Sequence, residues 1–213
     1  MIPKIIHYCW FGGKDKPKDV IKCIESWKRH MPDYEIVEWN ESNFDINFSQ
    51  FTKEAYSLRK YAFVSDVARL YALVKCGGIY FDTDIEVLKS FDDILDKEYL
   101  LGYEQEGKIG TGVIAAAKGL YFIEGFLNTY KYKKFILGDN KYNTIPNPKL
   151  LSDYIEQNKL KLKVYNTDYF CAKSFLTGKI TKTENTYCIH HFSGSWLTKW
   201  QKFKLWIHHI LRM

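Results

Sequence analysis

The chain reads as an α/β protein with a mainly parallel central sheet flanked by helices, and three features of the sequence predict it. Short apolar runs rich in Ile, Tyr and Phe alternate with longer segments of helical periodicity. The first three elements follow as strand, helix, strand, which is the order of a parallel unit. A further strand, Ile79-Tyr80-Phe81, is apolar throughout and then breaks into the carboxylates of Asp82 and Asp84. With 213 residues the chain fits one domain and can bury a sizeable core. We assign residues 1–198 to that domain and 199–213 to a basic amphipathic helix.

The elements follow in order. Residues 2–10 form the opening strand, ended by the turn signal Phe11-Gly12-Gly13. A helix over 17–30 carries Val20, Ile21, Ile24 and Trp27 at helical spacing. Met31-Pro32-Asp33 stops it, and residues 34–39 are the second strand. The polar stretch 40–58 holds short helices. Residues 61–76 form a strong helix with Phe63, Val67, Leu70 and Val74 as its apolar stripe and Gly77 at its C-terminal end. Strands follow over 79–81, 85–87, 99–103 and 112–117, then a helix over 120–132. Residues 138–148 read as a loop, 150–158 as a helix and 162–165 as a strand.

Composition narrows the function classes. Hydrophobic residues make up 46% and charged residues 26%, ordinary for a globular protein. Aromatics are abundant at 17%, which suits either a ring-stacking cleft or an aromatic core. A net charge of +6 favours anionic ligands or an anionic membrane surface. No block of Lys and Arg interleaved with aromatics argues for nucleic acid. The five cysteines are scattered without a C-x-x-C, so zinc is not expected and a reducing cytosol is. The opening strand follows the first Met directly, and no run of eighteen apolar residues occurs. The expectation is a protein neither exported by a signal peptide nor membrane-spanning.

The chemistry concentrates at Asp82-Thr83-Asp84. Two carboxylates spaced i, i+2 on an extended backbone point the same way; they read either as solvated aspartates at a polar strand end or as a pair that repels unless a cation lies between them. A hard divalent ion such as Mg²⁺ or Mn²⁺ answers that need and shares its shell with phosphates. On the preceding helix, Asp66 and Arg69 are helical neighbours in Ser65-Asp66-Val67-Ala68-Arg69. They read either as a surface ion pair or as a sugar-binding carboxylate fixed by a guanidinium. Trp10 ends the first strand where open α/β sheets place ligands, and reads either as a core tryptophan or as a platform for a base. Near the C-terminus, His190-His191-Phe192-Ser193-Gly194-Ser195-Trp196 sets an imidazole and an indole around a small turn.

Taken in order, these segments resemble the DXD-containing glycosyltransferase family of yeast α-mannosyltransferases and bacterial capsule and lipopolysaccharide enzymes, and more distantly the glucosyltransferase domains of clostridial toxins. The resemblance runs through residues 2–10, Ser26-Trp27, Pro32-Asp33-Tyr34, Trp39, residues 65–69 and 77–84, and His190 to Trp196. It implies a GT-A, Rossmann-like fold, a nucleotide-sugar donor with uridine diphosphate as the favoured carrier, Mn²⁺ or Mg²⁺, and retention at the anomeric carbon. It also implies roles. Trp10 stacks on the base, Asp66 and Arg69 contact the donor sugar, and Gly78 lies in the donor-binding segment. Asp82 reaches the ribose, the sugar or the metal, and Asp84 ligates the metal. The C-terminal metal ligand is His191 in preference to His190, from its distance to Trp196. Ser193, Ser195 and Trp196 close on the β-phosphate. Ile145-Pro146-Asn147-Pro148 replaces the Gly-Pro that many relatives carry, so no acceptor residue is taken from that region.

The expected reaction is hexose transfer to a surface-polysaccharide or lipid-linked saccharide; a nucleotide-sugar hydrolase or a non-catalytic binding module are the other readings. Same-face attack is the favoured retaining route, with Glu104 at a strand end as the residue a nucleophilic route would use. In the tail, Trp200, Phe203, Trp206, Ile207, Ile210 and Leu211 share one helical face with Lys199, Lys202 and Arg212 elsewhere. Such a helix suits an interface, either packed on protein or lying on the inner face of the cell membrane.

Overall fold

A computed structural model describes residues 1–194; Ser195, Trp196 and the whole of the expected tail helix lie outside the described residues. A five-stranded sheet organises the chain. Its strands are β1 (Ile5–Cys9), β2 (Glu35–Trp39), β3 (Gly78–Phe81), β5 (Tyr99–Gln105) and β6 (Lys108–Ala116), in the order β2-β1-β3-β6-β5. β1 pairs in parallel with both β2 and β3, and β6 is antiparallel to β3 and β5. Four of the five strands therefore run the same way, as expected for a mainly parallel sheet.

Side chains alternate across these strands and feed a core on each face. From β3, Tyr80 enters one core while Ile79 and Phe81 enter the other. The first core lies under α2 (Gln50–Ser57), α3 (Tyr61–Cys76), α4 (Tyr121–Thr129) and α5 (Asn147–Gln157). The second is built on α1 (Lys18–His30) and on an aromatic group of Trp27, Phe81, Phe91, Phe170 and Tyr187. Of the stripe predicted for α3, Val67 and Leu70 are fully buried but Phe63 and Val74 are only partly so; Val64, Ala68, Ala72 and Leu73 are buried with them. The helix is enclosed between the sheet and its helical neighbours, so a single stripe understates its buried arc.

Two local expectations fail. No strand forms over 162–165; only Tyr165 pairs, through a single parallel bridge to Gly102. The presumed loop at 138–148 instead contains the hairpin of β7 (Ile136–Gly138) and β8 (Lys141–Tyr142) and the first turn of α5. In the first, the edge of β5 is available, but only Tyr165 comes into register with it. In the second, Pro148 falls in the first turn of α5, where its missing N–H costs nothing.

Two short contacts place the segment after β3. The Trp27 indole donates to the carbonyl of Ile85 at 2.7 Å, and the Val87 amide donates to the Ser26 hydroxyl at 2.9 Å. They tie β4 (Ile85–Val87) to α1, and β4 pairs antiparallel with β9 (Cys188–His190). The C-terminal histidines are thereby brought back beside Asp82 and Asp84, 106 residues upstream in the case of Asp84 and His190.

Candidate active site

β1 and β3 point their C-terminal ends to one edge of the sheet, and the candidate site is assembled there. The Asp82 amide donates to the Gly112 carbonyl at 2.8 Å, the last link to β6. The chain then turns, with the Ile85 amide donating back to the Asp82 carbonyl at 3.0 Å. Asp82 and Asp84 thus sit in a tight turn rather than on the extended backbone expected. One ligand atom each from Asp82, Asp84 and His190 still lie within 4.8 Å of one another.

Arg69 anchors one side. The residue is only 4% exposed, although its sequence context allowed a surface ion pair. Its guanidinium lies 2.9 Å from Asp66 and 3.2 Å from Asp82, and it donates to the Thr111 carbonyl at 2.6 Å and the Ser65 carbonyl at 3.3 Å. It also packs over the Tyr80 ring at 4.6 Å, while the Tyr80 hydroxyl donates to Asp82 at 3.0 Å. Burial pushes the Asp66 carboxyl up to about 6, with Asp82 adding to the rise and Arg69 opposing it. Arg69 itself is held above its ordinary range: burial opposes the charge, but Asp82, Tyr80 and Asp66 outweigh it.

Asp84 anchors the other side. His190 Nε2 lies 3.2 Å from one carboxylate oxygen, and the Ser193 amide donates to the other at 2.7 Å. Burial works against ionisation, yet these partners hold the Asp84 carboxyl far below its usual range. His190 is likewise penalised by burial, but Asp84, Cys171 and Asp82 raise it well above its ordinary value.

The imidazole that meets the aspartates belongs to His190, not to His191 as expected. Neighbouring residues along an extended chain face opposite ways. His191 follows β9 and turns its Nε2 to Glu86 at 2.8 Å. Its backbone remains at the site, the amide donating to the Asp84 carbonyl at 3.0 Å. Gly78, expected among donor contacts, opens β3 at the end away from Asp82. There a Cβ would meet the Ile5 carbonyl at 2.5 Å, so its place is dictated by close strand pairing. Trp10 does lie at the functional edge, just past β1, half-buried, with its indole N–H on the Lys14 carbonyl at 2.6 Å. Ser193 contributes its amide, while Ser195 and Trp196 lie outside the described residues.

Several contributors escaped sequence reasoning: Tyr80, the Thr111 carbonyl and, above all, Gly112. A Cβ on Gly112 would stand 2.9 Å from His190 Cε1 and 3.1 Å from both His190 Nδ1 and Asp82 Oδ2. Glycine there leaves the space in which the carboxylate and imidazole converge. A legible signal existed, since two glycines, Gly110 and Gly112, fall within one strand just before its apolar run Val113–Ala116. A cleft beside the triad is lined by Glu104, Tyr103, Gly110, Gly112, Phe170 and His190. Burial raises the Glu104 carboxyl above its ordinary value, against the lowering effect of His190. Two carboxylate oxygens and one imidazole nitrogen form a donor set suited to a divalent cation such as Mn²⁺, and the glycine cradle leaves them room.

Residues 17–101 match the family described as glycosyltransferase sugar-binding region containing DXD motif. An inositol phosphoceramide mannosyltransferase of Schizosaccharomyces pombe is 28% identical over 130 residues, covering 57% of this chain and 35% of that protein. The chain spans about a third of the length of that relative. Among solved structures, the PaToxG glycosyltransferase superposes with a TM-score of 0.57 at 20% identity, over 74% of this chain and 70% of that one. A glycosyltransferase involved in glycosylating the major capsid of PBCV-1 gives 0.52 at 14% identity, over 96% and 100%. At those identities the likeness is one of fold, and the fold is the GT-A arrangement.

Proposed function

We propose that this chain, whose residues 17–101 match the glycosyltransferase sugar-binding region containing a DXD motif, moves a hexose from a nucleotide sugar to a saccharide acceptor with retention of configuration. The observation that carries this reading is the convergence of Asp82, Asp84 and His190 within 4.8 Å, beside the buried Arg69 guanidinium and its ion pairs to Asp66 and Asp82. Those three side chains would hold a divalent cation, Mn²⁺ or Mg²⁺, which when bound supplies positive charge for the diphosphate that leaves.

The protein's own groups have separable tasks. Asp66 offers an acceptor for donor-sugar hydroxyls, and Arg69 fixes its direction while balancing Asp82. Trp10 supplies a flat surface for the base. The loop that begins at Ser193 is the segment expected to close over the β-phosphate through Ser195 and Trp196. In the reaction the bond from the anomeric carbon to the β-phosphate oxygen breaks and a bond to the acceptor oxygen forms. Same-face attack sends the acceptor proton to the departing phosphate. Glu104, in the cleft beside His190, is the group that a double-displacement route would use. The fission-yeast relative is named for mannose transfer to inositol phosphoceramide, which supports a lipid-borne acceptor over a free sugar. The one curated relative named above is from a fission yeast, so it lends no support to the bacterial capsule expected from sequence. A cytosolic enzyme peripheral to the membrane fits this acceptor.

The deciding experiment is nucleoside diphosphate release from a panel of uridine- and guanosine-linked hexoses, with Mn²⁺ or with EDTA, for wild type and Asp84→Asn. Turnover with one donor, lost on chelation and in the variant, is expected. Dependence of that turnover on an added lipid-linked or soluble saccharide separates transfer from hydrolysis. Donor binding without release, under all conditions, would overturn the catalytic reading in favour of a binding module.

A further inference from the structure

Eleven large hydrophobic side chains stand exposed among the described residues, and five fall within one stretch of fourteen: Tyr132, Ile136, Leu137, Tyr142 and Ile145. Tyr132 is 90% exposed and Leu137 61%. The same stretch carries Lys133, Lys134 and Lys141, with Lys131 just before it and Asp139 as its single acidic residue. Apolar tips ringed by cations are the composition of an interfacial element.

This element is preformed. Asp139 and Asn140 both have positive φ, at 45° and 58°, which closes β7 onto β8 through a two-residue turn. At the base, Glu54 accepts the amides of Phe135 and Ile136 at 2.8 Å each, and the buried Phe135 ring packs on Phe51, Phe63 and Tyr142. A hairpin already formed and anchored has less conformational freedom to lose on docking than a loop that must order there. Its two ends also reach the site. Tyr130 precedes it and Asn147 follows it; Asn147 Nδ2 donates to the Tyr130 hydroxyl at 2.7 Å and lies 3.4 Å from the Asp66 carbonyl.

We propose that the β7–β8 hairpin is a membrane-docking element, inserting Leu137 and its apolar neighbours among the headgroups of an anionic bilayer while the lysines pair with lipid phosphates. Docking there sets the Asp66 side of the donor site against the surface that would carry a lipid-linked acceptor. A second copy of this chain is the poorer occupant, because a two-fold contact would bring the lysine clusters together. The assignment deepens the transfer reading but is tested without donor, metal or turnover.

The test is co-sedimentation of the full chain with vesicles of phosphatidylcholine alone or with added phosphatidylglycerol. Wild type is expected to bind the anionic vesicles and to be released by salt. Each lysine near such a surface is worth roughly fivefold, so Lys133→Gln with Lys141→Gln should weaken binding about 25-fold. Leu137→Ser should cost about tenfold. Ile21→Ser, an exposed apolar control on α1, should change nothing. Far-UV circular dichroism confirms folding of each variant. Absence of vesicle binding by wild type, or binding by the hairpin variants equal to wild type, overturns the assignment; the second outcome moves docking to another surface. Loss in those variants of a concentration-dependent dimer, seen by sedimentation velocity, would also overturn it in favour of self-association. If any of these occurs while diphosphate release persists, the hairpin assignment alone falls and the transferase reading stands.

Discussion

Replacing Arg69 by Met tests the electrostatic account of the site most sharply. The change keeps much of the side-chain volume and removes the cation that Asp66 and Asp82 share at 2.9 and 3.2 Å, together with the donors to Thr111 and Ser65. Breaking a buried ion pair by deleting one partner typically costs about 3–5 kcal/mol, because the remaining charge is left uncompensated. Against a total stability on the order of 5–15 kcal/mol, the variant should still fold at 25 °C. Titration sets the shape of the loss. With Arg69 present, burial already lifts Asp66 to about 6 from the ordinary 3.8, so wild type loses stability from this group as pH rises between those values. Without the guanidinium the carboxyl rises further and stays neutral to higher pH. The penalty is therefore largest near about pH 8 and smaller near about pH 5, where Asp66 is mostly protonated in wild type too. Urea unfolding followed by circular dichroism at the two pH values measures both quantities. Adding Asp66→Asn to the variant should recover part of the loss, as coupled neighbours do. A destabilisation below about 1 kcal/mol, or one equal at both pH values, would refute the argument that the buried Arg69 is coupled in charge to these carboxylates.

Three further outcomes are expected. Gly112→Ala places a methyl 2.9 Å from His190 and 3.1 Å from Asp82. It should raise the Mn²⁺ concentration for half-maximal activity about 10- to 100-fold with little change in Tm; an unchanged metal titration would count against the triad. His190→Ala should weaken that metal dependence far more than His191→Ala, whose imidazole faces Glu86; the reverse order, read by metal titration, would restore the preference drawn from sequence. His7 is fully buried, accepting from the Trp39 indole at 3.1 Å and donating to the Gly77 carbonyl at 2.7 Å, and burial lowers its pKa. Its neutral form is compatible with the fold and its charged form is not. Stability is thus full above about 6.5 and lost as pH falls below it, and His7→Gln should flatten that slope in urea titrations.

The functional edge was legible wherever chemistry is local. Asp82 and Asp84 could be found because two carboxylates at the end of an apolar strand are costly without a partner, whatever the rest of the chain does. Asp66 and Arg69 could be found as a pair because helical spacing makes them neighbours. Trp10 could be placed because a strand end has a direction once β1 and β3 are parallel. The expected strand at 162–165 failed although β5 is an edge strand with a free side: Tyr165 pairs there, but the residues before it do not follow into register.

What the sequence determined by itself is therefore the alternation of elements, the parallel sense of the sheet's first half, and the residue types that gather at its C-terminal edge. Tertiary structure alone decided which histidine meets Asp84, since β9 reaches the site only by pairing with β4, and a one-residue change of facing exchanges His190 for His191. It also decided that Arg69 is buried rather than solvated, that Gly78 serves strand pairing, and that Gly112 makes room for the ligands. The physical reason is common to all four. Periodicity and composition are carried by neighbours along the chain, whereas facing, burial and clearance are set by groups that become neighbours only when distant strands pair.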